Sequence, residues 1–311
     1  MKKTLPPTKR NVLKITSSVY DPLGFLVPFV LRAKALIQEL WRQNFEWDEI
    51  ISQSLQETWK KWLEELNQLP KIKVKRCFNI DINIVRTELH IFCDASTTAF
   101  AAVSYLKCID VKGNMNVTFI MAKSRLAPLK VLTIPRLELQ GAVLAVRMKV
   151  FLLKELDTRL DKIYFWTDSM TTLQYINNEN KRFKTFVANR VAEIRENSAV
   201  SEWQHIPGDM NPADWGTRGT EIQDLIPDSL WFKGPEILYQ TTEGIENPQI
   251  PDLSEEDNEL KQSQVHIKTL QTKQDFIWFE NYSSWSKLVA VMGWIKRFIS
   301  NCKIRIKEKI L

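Results

Sequence analysis

The sequence is short of the side chains that hold soft metals and covalent cross-links. Its four cysteines, Cys77, Cys93, Cys108 and Cys302, lie far apart with no CxxC pair, and only three histidines accompany them. Neither a zinc knuckle nor a disulfide framework can be read from such a set, and a reducing compartment is expected. Long apolar runs are missing as well. The most apolar stretch, LGFLVPFVL at 23–31, contains Pro28 and is followed by Arg32, well short of the roughly 20 residues that span a bilayer. The opening MKKTLPPTKR leads into no apolar core, so no signal peptide is expected. The protein is expected inside the cell, in cytoplasm or nucleus, not secreted and without a membrane partner. No internal repeat is visible.

What remains is an ordinary globular composition, 44% hydrophobic and 26% charged over 311 residues, enough for a sizeable core. Forty-three Lys and Arg against 37 Asp and Glu give a net charge of +6, which favours polyanionic partners such as nucleic acid. Apolar spacing predicts two amphipathic helices within 28–69, on Val30, Ala33, Ile37 and Trp41 and then on Leu55, Trp59, Trp62, Leu63 and Leu66. Their stripes read as packing faces. From residue 87 the pattern changes to the strands TELHIFCD, FAAVSYLKCI and NVTFIMAKS, with Gly113 and Asn114 in a hairpin turn. A long, largely buried helix follows over 135–156, entered through Thr133 and Pro135. The strand KIYFWTD, helices at 169–178 and 183–197, the strand SEWQHIP and a terminal helix complete an α/β layer fold with a mixed sheet. Beyond 235 the chain reads as an acidic, proline-punctuated linker and then a helix over 283–300 with a basic tail.

Two of these strands end on acids, Asp94 and Asp168. In open α/β sheets the binding crevice lies outside the carboxyl ends of neighbouring strands. Parallel neighbours sit about 4.8 Å apart, so paired carboxylates there need a cation to offset their repulsion. Glu138, near the start of the long helix, and Asp214, where Asn211 and Pro212 can open a helix, extend the set to four acids from four elements. Each alone reads as a turn, cap or solvated residue; only the four in this order point to a site. Hard oxygen ligands suit Mg2+ or Mn2+, and two such ions roughly 3.5–4 Å apart hold the attacking and leaving oxygens of a phosphodiester in line.

The residues FCDAS, RLELQGA, FWTDS and NPAD resemble the Asp, Glu, Asp, Asp pattern of the ribonuclease H family. The closer resemblance is to the ribonuclease H segment of polyproteins from BEL/Pao LTR retrotransposons, carried by YDPLGFLVPFVLRAKALIQELW, IPRLELQGAVLA and HIPGDMNPADWGTRG, with YSSWSKLVAVMGWIKRFI similar to the helix preceding integrase. It covers about residues 9–235 strongly and 276–300 weakly. The resemblance implies a mixed five-stranded sheet with flanking helices, preceded by a small helical segment. It implies hydrolysis of the RNA strand of an RNA:DNA hybrid, with Asp94, Glu138, Asp168 and Asp214 as catalytic residues and ligands of two Mg2+ or Mn2+. It also implies a division into a thumb- or connection-like segment (1–75), a ribonuclease H-like domain (80–235), an acidic linker (236–275) and a basic helical tail before an integrase region (276–311). The polymerase region of the same polyprotein would be a partner. No Tyr-x-Asp-Asp, no Asp-Thr/Ser-Gly triplet, no zinc-binding His/Cys array and no integrase catalytic core is present. Polymerase, protease and integrase activities are therefore not expected, and the chain looks like a fragment of a longer polyprotein.

For substrate contact, Ser96, Thr97 and Ser169 are small polar residues beside the acids, suited to 2′-hydroxyl or phosphate contact, or equally to capping local backbone. Lys181, Arg182, Lys184, Arg190 and Arg195 form the best basic patch, and Arg218 lies beside the fourth acid; the plainer account is a solvated face. His205 reads as structural. Two other functions compete. A catalytically silent connection-like module would bind nucleic acid or polymerase without cutting, and a strand-transferring integrase would place its glutamate last, whereas Glu138 here comes between Asp94 and Asp168.

Overall fold

The computed structural model describes residues 5–74, 84–240, 249–261 and 284–307, with side chains to 302. Cys77, and the parts of the expected linker and tail at 241–248, 262–283 and 308–311, lie outside the described residues.

The chain opens with α1 (Lys9–Ser17), α2 (Val27–Arg42) and α3 (Gln53–Leu66). The apolar pattern predicts the last two but not α1, whose short stripe buries only Val12 among its large apolar residues. In α2 the buried stripe is Phe29, Val30, Ala33, Leu36 and Leu40, while Trp41, expected on it, is half exposed and meets Trp47 edge-on at 5.4 Å. A meander of β1 (Ile84–Ala95), β2 (Ala99–Asp110) and β3 (Met115–Leu126) follows, its last turn closed by Gly113 at φ 83°. Then come α4 (Ile134–Glu155), β4 (Lys162–Thr167), α5 (Met170–Asn177), α6 (Thr185–Asn197), β5 (Trp203–His205), α7 (Ala213–Arg218) and α8 (Leu230–Lys233). Thr133 caps α4 through its carbonyl, which accepts from Arg136 and Leu137 N–H, and not through its hydroxyl.

The sheet order is β3-β2-β1-β4-β5, antiparallel on one side of β1 and parallel on the other. This is the expected mixed five-stranded α/β sheet. Both faces are covered, which explains the near-continuous apolar strands. Alternate side chains of β1 divide the core: Leu89, Ile91 and Cys93 join α4, α5 and α6, while Phe92 joins Phe29, Trp59, Trp62, Tyr105, Trp166 and Trp231. The N-terminal helices thus share one core with the sheet, and residues 1–261 form one compact unit.

The DPLG turn shows how that union is made. Asp21 accepts N–H bonds from Phe25 (2.9 Å) and Leu26 (2.8 Å), and the Leu23 carbonyl accepts from Ala122 N–H on β3 (2.8 Å). Gly24 sits between them at φ 79°, where a Cβ would lie 2.0 Å from the Ala122 carbonyl oxygen. Only glycine fits that position.

One part of the chain departs from expectation. Residues 249–261, inside the stretch expected as a linker, pack on the sheet unit: Leu253 is buried in its core, and Leu260 bridges to Phe183. Polar composition hid this because the segment is held mainly by hydrogen bonds to its backbone and by one ion pair, Arg136–Glu259. The second unit contains α9 (Trp285–Lys307), which carries exposed Trp285, Trp294 and Phe298. Among the described residues no helix is long and apolar enough to cross a membrane.

Gly24→Ala is expected to lower the unfolding free energy by ~2 kcal/mol or more, from a strained φ together with a backbone clash. Urea denaturation measures it, and an unchanged midpoint would mean that the turn is not seated on β3.

Candidate active site

β1 and β4 run side by side in one direction, with Phe92 paired to Trp166. Two residues further on, Asp94 and Asp168 emerge at adjacent strand ends, the position expected for a crevice. α4 delivers Glu138 to the same place because of one glycine. A Cβ at Gly141 would lie 2.9 Å from the Asp94 carbonyl oxygen, so the helix rests directly on the end of β1. Glu138, three residues earlier, lies on the same helical face.

α7 repeats the device from the other side. A Cβ at Gly216 would meet the Ala101 Cβ at 2.8 Å, and Ala101 is the cross-strand partner of Asp94. Two minimal side chains therefore let α7 lie across β2 with Asp214 in its first turn. Asn211 fixes the approach: its amide donates to the Cys93 carbonyl (3.0 Å) and its oxygen accepts from Ala213 N–H (3.1 Å).

Each acid has a donor of its own. The Thr217 hydroxyl donates to Asp94 Oδ2 at 2.6 Å, and Ser169 Oγ donates to Glu138 Oε2. Asp214 pairs with Arg218 one turn on, and the Asn211 amide lies 3.5 Å from Asp168 Oδ1. Burial, followed by the charges of Asp94 and Glu138, pushes the Asp168 carboxyl up to about 6. Burial likewise raises Glu138, with Asp94 adding to it, and raises Asp94, with Asp214 adding and the Thr217 hydrogen bond opposing. The neighbouring Cys93 thiol is raised by burial and then by Asp168, Asp94 and Glu138. Asp94, Glu138 and Asp168 thus act on one another, and Asp214 acts on Asp94.

They do not stand as a finished cage. Among the described residues no group of three or more His, Cys, Asp or Glu is poised to hold one metal ion. The physical reason is that like charges repel, and each carboxylate has turned to a hydroxyl, amide or guanidinium.

The other expected contacts divide. Ser96 bonds local backbone, accepting from Thr98 and Ala99 N–H and donating to the Thr217 carbonyl. Ser169 caps α5, accepting from Thr172 N–H while it donates to Glu138. Both take the capping role instead of standing free for a substrate. Thr97 is exposed. Lys181 donates to the Leu253 carbonyl and Lys184 to that of Asn258, with Arg182 exposed between them. Arg190 stacks on Phe186 at 3.4 Å, Arg195 donates to the Ile176 carbonyl, and Arg218 is held by Asp214. His205 ends β5, half-buried and paired with Thr167. Sequence reasoning missed Thr217 and the two hydrogen bonds by which Asn211 joins Cys93 to Ala213. The only sign of Thr217 was its place three residues after Asp214, one turn along a helix.

The pKa of Asp168 has a consequence for stability. Its folded value of about 6 lies above the unfolded 3.8, so the native state keeps the proton longer. The penalty is absent below about pH 4 and complete above about pH 6, so stability falls as pH rises through that window. In metal-free protein, Asp168→Asn is expected to stabilise by on the order of 2–3 kcal/mol at pH 7.5 and hardly at all at pH 4. Urea unfolding at both pH values checks this; an equal effect at both would contradict the crowding.

The model of the Pao retrotransposon-like RNaseH-like domain family matches residues 8–169, which include Asp94, Glu138 and Asp168 but not Asp214. No curated protein matches the chain. Among solved structures it is similar to the N-terminal RNase H domain of a Mycobacterium tuberculosis protein, solved as a fusion with maltose binding protein (10% identity, 42% of this chain and 92% of that chain, TM-score 0.28). It is also similar to RNase H1 of the archaeon Halobacterium salinarum (15%, 40% and 90%, 0.23) and to a foamy viral protease-reverse transcriptase in complex with double-stranded DNA (16%, 66% and 33%, 0.33). With more than half of its residues matched by the family model, the chain belongs to the Pao retrotransposon-like RNaseH-like domain family.

Proposed function

We propose that this chain hydrolyses the RNA strand of RNA:DNA hybrids as the ribonuclease H part of a retrotransposon Pol polyprotein. Asp94, Glu138, Asp168 and Asp214 would hold two Mg2+ or Mn2+. The observation that carries the reading is the meeting of acids from β1, α4, α7 and the end of β4 at one crevice, enforced by the close approach of α4 at Gly141 and of α7 at Gly216. Family membership supports it.

The donor set fits a hard divalent ion, being all oxygen, partly buried and mutually repulsive. Such an ion, when bound, neutralises the phosphodiester and lowers the pKa of an attacking water. The chain's own residues prepare the place. Thr217 orients Asp94, Ser169 orients Glu138, and Asn211 ties the start of α7 to β1. Arg218 holds Asp214 aside, and Asp214 must turn from it to join the other three. The 2′-hydroxyls of the RNA strand are the feature that separates hybrid from DNA duplex, and exposed Thr97, three residues past Asp94, would be the side chain that senses them. The polymerase region of the same polyprotein is the expected partner of the N-terminal helices.

The full chain is the proper test object, since its N-terminal helices share the core of the sheet. It is expected to cut a labelled RNA:DNA hybrid with Mg2+ or Mn2+ and to leave the matching DNA duplex intact. Asp168→Asn is expected to slow cutting about a thousandfold, the equivalent of several kcal/mol of lost charge stabilisation. Mg2+ is expected to raise the melting temperature of the unaltered chain but not of this variant. Intact hybrid under both metals, with binding retained, would replace the nuclease with a silent nucleic-acid-binding module.

A further inference from the structure

The cations best placed to follow a nucleic-acid backbone are already engaged by the chain itself. Residues 249–261, QIPDLSEEDNELK, carry five acids in thirteen positions and lie along α5, α6 and the start of α4. Lys181 Nζ donates to the Leu253 carbonyl, and Lys184 Nζ to that of Asn258. Glu259 takes the Arg136 guanidinium in two parallel bonds of 2.7 and 2.9 Å, the geometry by which arginine also grips a phosphate. Arg136 and Glu138 both stand near the start of α4, and the charges of Glu259 and Glu138 both reach Tyr175, which puts this pairing at the border of the catalytic crevice. Tyr175 marks the same border: its hydroxyl donates to Asp257, and it feels the charges of both Glu259 and Glu138.

The attachment is of a displaceable kind. Leu253 is buried in the core with Ile250 and Leu260 packed partly against it, Glu259 is buried on Arg136, and two short backbone bonds join the segment to 182–184, Lys184 N–H to Glu259 and Lys261 N–H to Arg182. The rest is acidic side chains and carbonyls set on partly exposed cations, acceptors that a phosphodiester chain also offers. Apart from the largely buried Arg136–Glu259 pair, these contacts are made by partly exposed cations, weak one by one and yielding to salt.

We propose that residues 249–261 are an acidic strap that occupies the phosphate track of Lys181, Lys184 and Arg136 and must lift for nucleic acid to bind. The inference rests on the reading of the crevice as a hybrid-binding site, and it adds a built-in control of access to it. The strap presents carboxylates and carbonyls where the substrate would present phosphate oxygens, and polyanion and strap exclude each other.

The test measures binding of a labelled RNA:DNA hybrid to the full chain over a range of salt, with Asp168→Asn present so that the hybrid is not consumed. Leu253→Ala with Glu259→Gln, which removes both anchors, is expected to tighten binding about tenfold or more. The dependence of log Kd on log salt should steepen by about two to three, one step of roughly 0.9 for each released cation. Adding Lys181→Ala and Lys184→Ala should cancel the gain. Equal affinity and slope with and without the anchors would overturn the proposal. Should the double variant fold poorly, hydrogen exchange with the strap unaltered decides: saturating hybrid should speed exchange across 249–261, and unchanged protection in the bound complex overturns the strap. The two readings fail separately. Tighter binding by the unanchored chain without any cutting by the Asp168-containing form removes the nuclease and keeps the strap, whereas cutting with unaltered affinity does the reverse.

Discussion

Two close glycine contacts, one on the end of β1 and one on its neighbour β2, govern this molecule. α4 touches the Asp94 carbonyl at Gly141, and α7 touches Ala101 at Gly216, with less than a side chain's width in either gap. A methyl group at either glycine would push a helix outward and carry Glu138 or Asp214 with it. Because β1 and β4 are parallel and in register, Asp168 is already beside Asp94. Close packing therefore turns a strand-end feature into a four-acid crevice, and the raised carboxyl of Asp168 records the electrostatic consequence. The crowding costs stability in the absence of a counter-charge. Such a cost is what a site for cation and phosphate is expected to carry.

The rest of the fold serves that crevice. Helices α1–α3 close one face of the sheet through the stacked pair Phe29 and Trp62, 4.8 Å apart, and the Gly24 turn hydrogen-bonds to β3. On the same side, the partly buried Arg32–Glu65 pair links α2 to α3, and Glu65 also accepts from Ile222 N–H just past α7. The segment that carries Asp214 is thus held from both ends, by Asn211 at its start and by the N-terminal helices after it. α4, α5 and α6 cover the other face, and residues 249–261 lie over their polar rim.

Much of this was legible in the residues because it is local or periodic. Alternation and helical stripes located β1–β4 and α2–α6 to within a few positions, and the strand-end acids announced the crevice through the geometry of parallel sheets. What stayed hidden depends on distant partners. α1 is too short for its period to stand out. Trp41 fell off its stripe because α2 turns Leu36 and Leu40 inward instead. Ser96 and Ser169, ambiguous between substrate and backbone, were decided by neighbours 121 and 31 residues away, Thr217 and Glu138. The acidic stretch after 248 has a linker's composition, and only the cations it meets reveal that it packs.

The acids at the ends of β1 and β4 and on α4 are close enough to govern one another's charge. Carboxyl-resolved 13C NMR titration of the metal-free protein tests it directly. The account predicts coupled curves for Asp94, Glu138 and Asp168, with Asp168 displaced to about 6, and collapse of all three toward the ionised form when Mg2+ is added. Independent single-step titrations near 4 that ignore Mg2+ would contradict it.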